Sequence, residues 1–293
     1  MLDAGFTELN DDFDWTIEAN ARYVITRNDS SIIAFNTGKD LNTGIRLLGA
    51  HTDSPCLRIK PNPEIHKNGY LQLGVEVYGG ALLHPWLDRD LSIAGRVSGL
   101  DKNGELFHQL IDIKKAIAVI PNLAIHLDRK ANDGKTINKQ TDLPLIIAQD
   151  EERSFKKLLL DYCDSNAERI LDYELSCYDT QTPSLVGLND EFICSARLDN
   201  LLSSYIAARA IIDTDTDQAS LYVSTDHEEV AQNFVVRSDM GCGSTIGPIT
   251  ATELGIETLD IGVPQWAMHS IRETAGTKDC EYLYASLCAF LGN

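Results

Sequence analysis

At 293 residues, 43% hydrophobic and 24% charged, the chain has the composition of an ordinary globular protein, long enough for one large domain or two. A formal net charge of −19, with no basic stretch to offset it locally, argues against nucleic acid or an anionic membrane as partner. Met1-Leu2-Asp3-Ala4 lacks the basic and apolar regions of a secretory signal, and no apolar run approaches the roughly 20 residues that cross a bilayer, so a cytoplasmic protein is expected. Residues 22–26 and 31–35 read as strands joined by an Asn28-Asp29 turn, and 44–50 as a buried strand leading into His51. Strand signal with glycine punctuation continues over 71–78, 91–97 and 116–120. Residues 128–140 are polar and without period, which predicts a loop or mobile flap. Helical spacing marks 154–164, 201–212 and 279–291, while the apolar runs 219–224 and 256–261 predict strands. No internal repeat or low-complexity segment interrupts this order. The β-rich middle, flanked by α/β segments, predicts one domain inserted into another. Seven cysteines, at 56, 163, 177, 194, 242, 280 and 288, are scattered and free of Cys-x-x-Cys spacing, which fits thiols in a reducing compartment.

The most informative residues stand at predicted strand ends. Asp226-His227-Glu228-Glu229 follows the run 219–224, and adjacent glutamates there repel unless something nearby wants both carboxylates. A divalent metal with an attacking water is one answer, one carboxylate ligating and its neighbour taking the water's proton; a solvated acidic turn is the other. His51-Thr52-Asp53 follows the strand ending at Ala50. Residues two apart in extended chain face the same way, so Asp53 can hydrogen-bond the imidazole of His51 and fix its tautomer for a metal. Alone, such a histidine reads equally as a satisfied or solvent-facing side chain. Asp199, just before a helical pattern, suits a helix N-cap or a carboxylate bridging two metals. His269 follows another predicted strand and completes a His/Asp/Glu/His set whose donors suit zinc or cobalt.

With these residues in view, the sequence resembles the aspartyl aminopeptidase family of cytosolic zinc metallopeptidases. The resemblance is carried, in order, by residues 23–31, by Ala50-His51-Thr52-Asp53-Ser54-Pro55 and by Leu83-His84-Pro85-Trp86-Leu87-Asp88-Arg89-Asp90. It continues through Asn122-Leu123-Ala124-Ile125-His126-Leu127, Lys139-Gln140-Thr141-Asp142-Leu143-Pro144, and residues 195–200, 226–230, 237–243 and 264–273. It implies an α/β fold: a zinc-exopeptidase-like α/β/α catalytic domain, here incomplete, interrupted by a β-rich oligomerisation domain. The expected division is 1–61 with 186–293 for the catalytic domain and 62–185 for the inserted dimerisation domain. His51 is implied as a ligand of the first metal with Asp53 orienting it, and Asp199 as the carboxylate shared by both metals. Glu228 is implied as general base, and Glu229 and His269 as ligands of the second metal. His126 of the inserted domain is implied to reach a neighbouring subunit's site and steady the tetrahedral intermediate. The implied cofactor is Zn2+, two per subunit, with peptides as substrates and self-association through the inserted domain.

The chain departs from the family pattern in two places. Family members usually carry an N-terminal helix before the segment beginning near Ala4. They also carry a domain-sized stretch where this sequence passes from Ala231 to Phe234, holding a further carboxylate ligand of the first metal and a basic residue thought to help select acidic side chains. The expected function is removal of N-terminal, acidic residues from peptides by a metal-activated water, impaired by the internal deletion. The alternative expectation is an inactive relic that serves as an oligomerising, non-enzymatic subunit.

Overall fold

The computed structural model describes the chain apart from residues 11–12, 41–43, 150, 151, 153, 216, 231–254 and 293. Its first strands are β1 (Thr7–Glu8), β2 (Arg22–Arg27), β3 (Ser31–Asn36), β4 (Ile45–His51), β5 (Cys56–Lys67) and β6 (Tyr70–Tyr78). Then come β7 (Leu91–Asp101), β8 (Leu106–Asp112), β9 (Leu145–Ala148), helix α1 (Phe155–Leu160), β10 (Ala167–Asp179), β11 (Ser184–Val186) and β12 (Phe192–Ser195). Helix α2 (Leu198–Asp213), β13 (Ala219–Thr225), β14 (Gln265–Trp266), β15 (Glu273–Gly276) and helix α3 (Thr277–Gly292) complete the order. The architecture is mixed α/β, and the chain divides into two units: Met1–Ser54 with Pro183–Met268 and Glu273–Asn293, and Pro55–Thr182 with His269–Arg272.

In the first unit a five-stranded sheet runs β1-β2-β3-β13-β4, with β13 antiparallel to β3 and parallel to β4. The β2–β3 hairpin forms because Tyr23, Val24 and Ile25 bury their side chains while Asn28 and Asp29 take φ of 52° and 57°, a region those two residue types tolerate. Ser220, Tyr222 and Ser224 are buried along β13 and alternate with half-buried Leu221 and Val223, as expected of a strand covered mainly on one face. The covering comes from α2 and α3, whose Ile206, Ala210, Leu283 and Leu287 join Leu48 and Tyr222 in one apolar core. The pairing of Thr225 with His51 sets the C-terminal ends of β13 and β4 level, so the residues that follow them emerge side by side. That edge is where open α/β sheets gather ligands. A second, antiparallel sheet runs β11-β12-β15-β14 and pairs Ser195 with Glu273.

Residues 256–261, expected as a strand, are irregular, and Ile256, Leu259 and Ile261 are exposed. An apolar run becomes a strand only against a ladder partner, and among the described residues none pairs with it.

The second unit is built on an antiparallel sheet ordered β8-β7-β10-β5-β6-β9, over a core that includes Leu57, Leu73, Leu91, Ile93, Leu145 and Phe155. Helix α1 is shorter than the periodicity suggests; it seals the core with Phe155 and Leu159, and Glu64 Oε1 accepts the Phe155 N–H at 2.6 Å. Strand β5 breaks register between Ile59 and Glu64, where Pro61 and Pro63 have no N–H to donate to the ladder. Residues 116–120 make only isolated bridges, Ala118 to Leu91 and Val119 to Ile146. Their apolar side chains report burial, with Ile120 and Ala118 in the core, rather than a regular ladder. Gly95 in β7 has φ of +150°, and a Cβ there would lie 2.0 Å from the Glu174 carbonyl oxygen of β10.

Candidate metal centre

The level ends of β4 and β13 bring His51 and the Glu228-Glu229 pair into one place. After Thr225 the chain turns through Asp226, whose N–H donates to Ser31 Oγ at 2.9 Å, and through His227 at φ of 70°. It becomes helical at 228–230. The first two N–H groups of that turn, from Glu228 and Glu229, each donate to the Asp53 carboxylate at 3.1 Å. Asp53 thereby caps the segment that carries the glutamate pair. On its other side the His51 Nδ1 lies 3.1 Å from the Asp53 carbonyl oxygen and 3.4 Å from Asp53 Oδ1. With Nδ1 committed to Asp53, Nε2 faces Asp199 Oδ1 at 3.4 Å and Glu228 Oε2 at 3.8 Å.

Helix α2 supplies Asp199 in its first turn, after Arg197 at φ of 61°. Arg197, not Asp199, holds the N-cap position, and the Asp199 carboxylate turns instead to His51. A buried hydroxyl cluster pins α2 under the sheet. Ser204 Oγ lies 2.8 Å from the His51 carbonyl oxygen and 2.7 Å from Ser224 Oγ, while the Tyr222 hydroxyl donates to the Ser204 carbonyl at 2.9 Å. One ligand atom each from His51, Asp199 and Glu229 lie within 4.8 Å of one another, and the three residues are 7%, 6% and 5% exposed.

So many acidic groups around one imidazole change its chemistry. Burial alone would depress the His51 pKa, but hydrogen bonds to Asp199 and Asp53 and the charges of Asp199 and Glu228 push it up to about 10. The pocket demands positive charge. An imidazole and two carboxylates, buried and convergent, fit zinc, and three protein ligands are the usual number at a catalytic zinc.

The residues expected from the sequence are thus distributed as follows. His51, Asp53, Asp199, Glu228 and Glu229 stand together in the first unit. The convergent trio takes in residues expected at two separate metals. His269 belongs to the second unit, at φ of 69°, with Nδ1 3.3 Å from the Gly80 carbonyl oxygen, and it is not one of the trio. His126 is exposed in a turn of the second unit. The expected break after Ala231 and Cys242 lie outside the described residues, and the six described cysteines are free thiols. Sequence reasoning did not single out Ser204, Ser224 or Glu273: a lone hydroxyl in an apolar segment carries no spacing signal, and Glu273 entered only as the last residue of the stretch 264–273.

An α/β sheet with a candidate metal trio beside its strand ends has the form of a metal-dependent enzyme, and comparisons narrow it. The family described as Aminopeptidase I zinc metalloprotease (M18) matches residues 1–231 and 230–291, so the chain belongs to the M18 family. A probable M18 family aminopeptidase 2 from Pseudomonas syringae pv. syringae is 44% identical over 391 aligned positions, covering 98% of this chain and 91% of the relative. At 293 residues the chain is much shorter than such relatives. Among solved structures, the Ape4 and Nbr1 complex determined by cryo-EM is similar with a TM-score of 0.88 and 30% identity, over 99% of this chain and 80% of that one. Chaetomium thermophilum mApe1 is similar with a TM-score of 0.83 and 25% identity, over 99% and 91%. The fold is that of M18 aminopeptidases, with their catalytic and oligomerisation regions. Among the described residues no helix is long and apolar enough to cross a membrane.

Proposed function

We propose that this chain is a metal-dependent aminopeptidase that removes N-terminal, acidic residues from peptides. The observation that carries the reading is the convergence of His51, Asp199 and Glu229 with the Glu228 carboxylate 3.8 Å from His51 Nε2. His51, Asp199 and Glu229 would hold a zinc ion, which would supply Lewis acidity to the scissile carbonyl and lower the pKa of a water. Glu228 accepts a proton at Oε2 and returns it to the leaving nitrogen, a role worth about 10²–10⁴-fold. Asp53 keeps the His51 proton on Nδ1, leaving Nε2 to ligate, and holds the peptide groups of both glutamates. In this reading His269 is a further ligand and His126 serves a neighbouring copy, with self-association through the second unit. Exposed Leu123, Ile125 and Leu127 around His126 support that contact.

The test is hydrolysis of aspartyl and glutamyl anilides with added zinc, manganese or cobalt, beside Glu228→Gln. The reading expects turnover that falls by at least about 10²-fold in the variant; turnover that survives the substitution removes Glu228 from the role. One observation favours a second reading. The family match breaks at residues 230–231, and the chain is much shorter than its relatives, which supports a segment lost after Ala231 together with a ligand. The chain would then be a non-enzymatic, oligomerising subunit. A defined oligomer that takes up no metal and hydrolyses neither anilide would favour it.

A further inference from the structure

Helix α2 begins in an unusual way at the residue that matters most to the centre. Asp199 (φ −83°, ψ 107°) and Asn200 (φ −121°, ψ 21°) are not helical, so the regular hydrogen-bond ladder does not hold Asp199 in place. Side chains do so instead. The Asp199 N–H donates to Glu273 Oε2 at 2.9 Å, and its carbonyl accepts from Ser54 Oγ at 2.6 Å. Glu273 is 1% exposed, at the start of β15 opposite Ser195. The strand pair that feeds the chain into α2 therefore carries the group that grips its second residue. A carboxylate is an expensive thing to bury in a sheet, and capping a helix on the surface needs no more than a serine or asparagine.

We infer that Glu273 is a positioning residue of the metal centre: it fixes the Asp199 main chain so that the Asp199 carboxylate meets the ligand atoms of His51 and Glu229. The inference rests on the reading of those three residues as metal ligands. Outer partners of this kind typically account for about 10–100-fold in metal affinity.

The test is cobalt(II) binding by the full chain, followed by visible absorbance against a competing chelator, for wild type, Glu273→Ala and Glu273→Gln. Circular dichroism establishes that each is folded. Glu273→Ala weakens cobalt about 10–100-fold and shifts the ligand-field bands, whereas Glu273→Gln, whose amide oxygen accepts the same N–H, stays within about threefold of wild type. Should Glu273→Ala not fold, Glu273→Asp, one methylene short of the Asp199 N–H, takes its place with the same expected loss. A folded Glu273→Ala or Glu273→Asp that binds as wild type does overturns the assignment, as does a Glu273→Gln that falls as far as Glu273→Ala. A wild-type chain that takes up no cobalt overturns the metal reading itself, an outcome separate from either.

Discussion

His51 ties the electrostatics of the centre to its ligand chemistry. In the metal-free protein the surrounding carboxylates hold a proton on the imidazole up to about pH 10, against an ordinary value of 6.5. The folded-state pKa is raised, so the stability this group contributes is complete below pH 6.5 and is lost as pH rises through about 10. A metal must displace that proton. Calorimetric titration in buffers of different ionisation enthalpy should show a proton released on zinc binding, with apparent affinity rising by up to about tenfold per pH unit across the neutral range. Asp53 bears on the same binding: Asp53→Ala removes the carboxylate that accepts from the Glu228 and Glu229 N–H groups and should weaken zinc about 10–100-fold in the same titration. Much of this cluster is legible in the sequence, because an acid two residues after a strand-end histidine and a glutamate pair at another strand end are chemical signals. The manner in which Asp53 works is not. Its carboxylate serves two main-chain donors across the sheet edge, and only the parallel register of β4 and β13 brings those donors within reach.

At the scale of elements, periodicity found strands where one face is apolar and missed those whose partners decide. The β2–β3 hairpin, β4, β13 and both long helices follow from alternation, turn residues and helical spacing. Strands β5 and β10 do not, since charged residues and prolines occupy positions that only the neighbouring strands make extended. The run at 256–261 errs the other way: it has the composition of a strand, with no ladder among the described residues. Close packing of β7 on β10 gives a direct check. Gly95→Ala places a methyl 2.0 Å from the Glu174 carbonyl oxygen at a φ that disfavours alanine, and should cost more than about 1 kcal/mol in urea unfolding. Ser204→Ala removes a buried donor beneath the His51 carbonyl and should cost about 1–3 kcal/mol.

For the whole molecule, a metal held at the candidate trio would link folding to metal binding. A ligand bound by the folded chain alone stabilises it by RT ln(1 + [L]/Kd), about 2.7 kcal/mol at a hundredfold excess over Kd. Zinc should raise the melting temperature, and chelator should lower it. The net charge of −19 adds a general attraction for cations, which a site-directed control must separate from binding at the trio. The deciding measurement is therefore calorimetric titration of zinc into the chelator-stripped chain beside His51→Ala. One tightly held zinc per chain, weakened more than about 100-fold by the substitution, is the expected result, exceeding what loss of an outer partner produces. Zinc uptake that is absent from the folded wild type, or unchanged in folded His51→Ala, would contradict a metal centre at His51, Asp199 and Glu229.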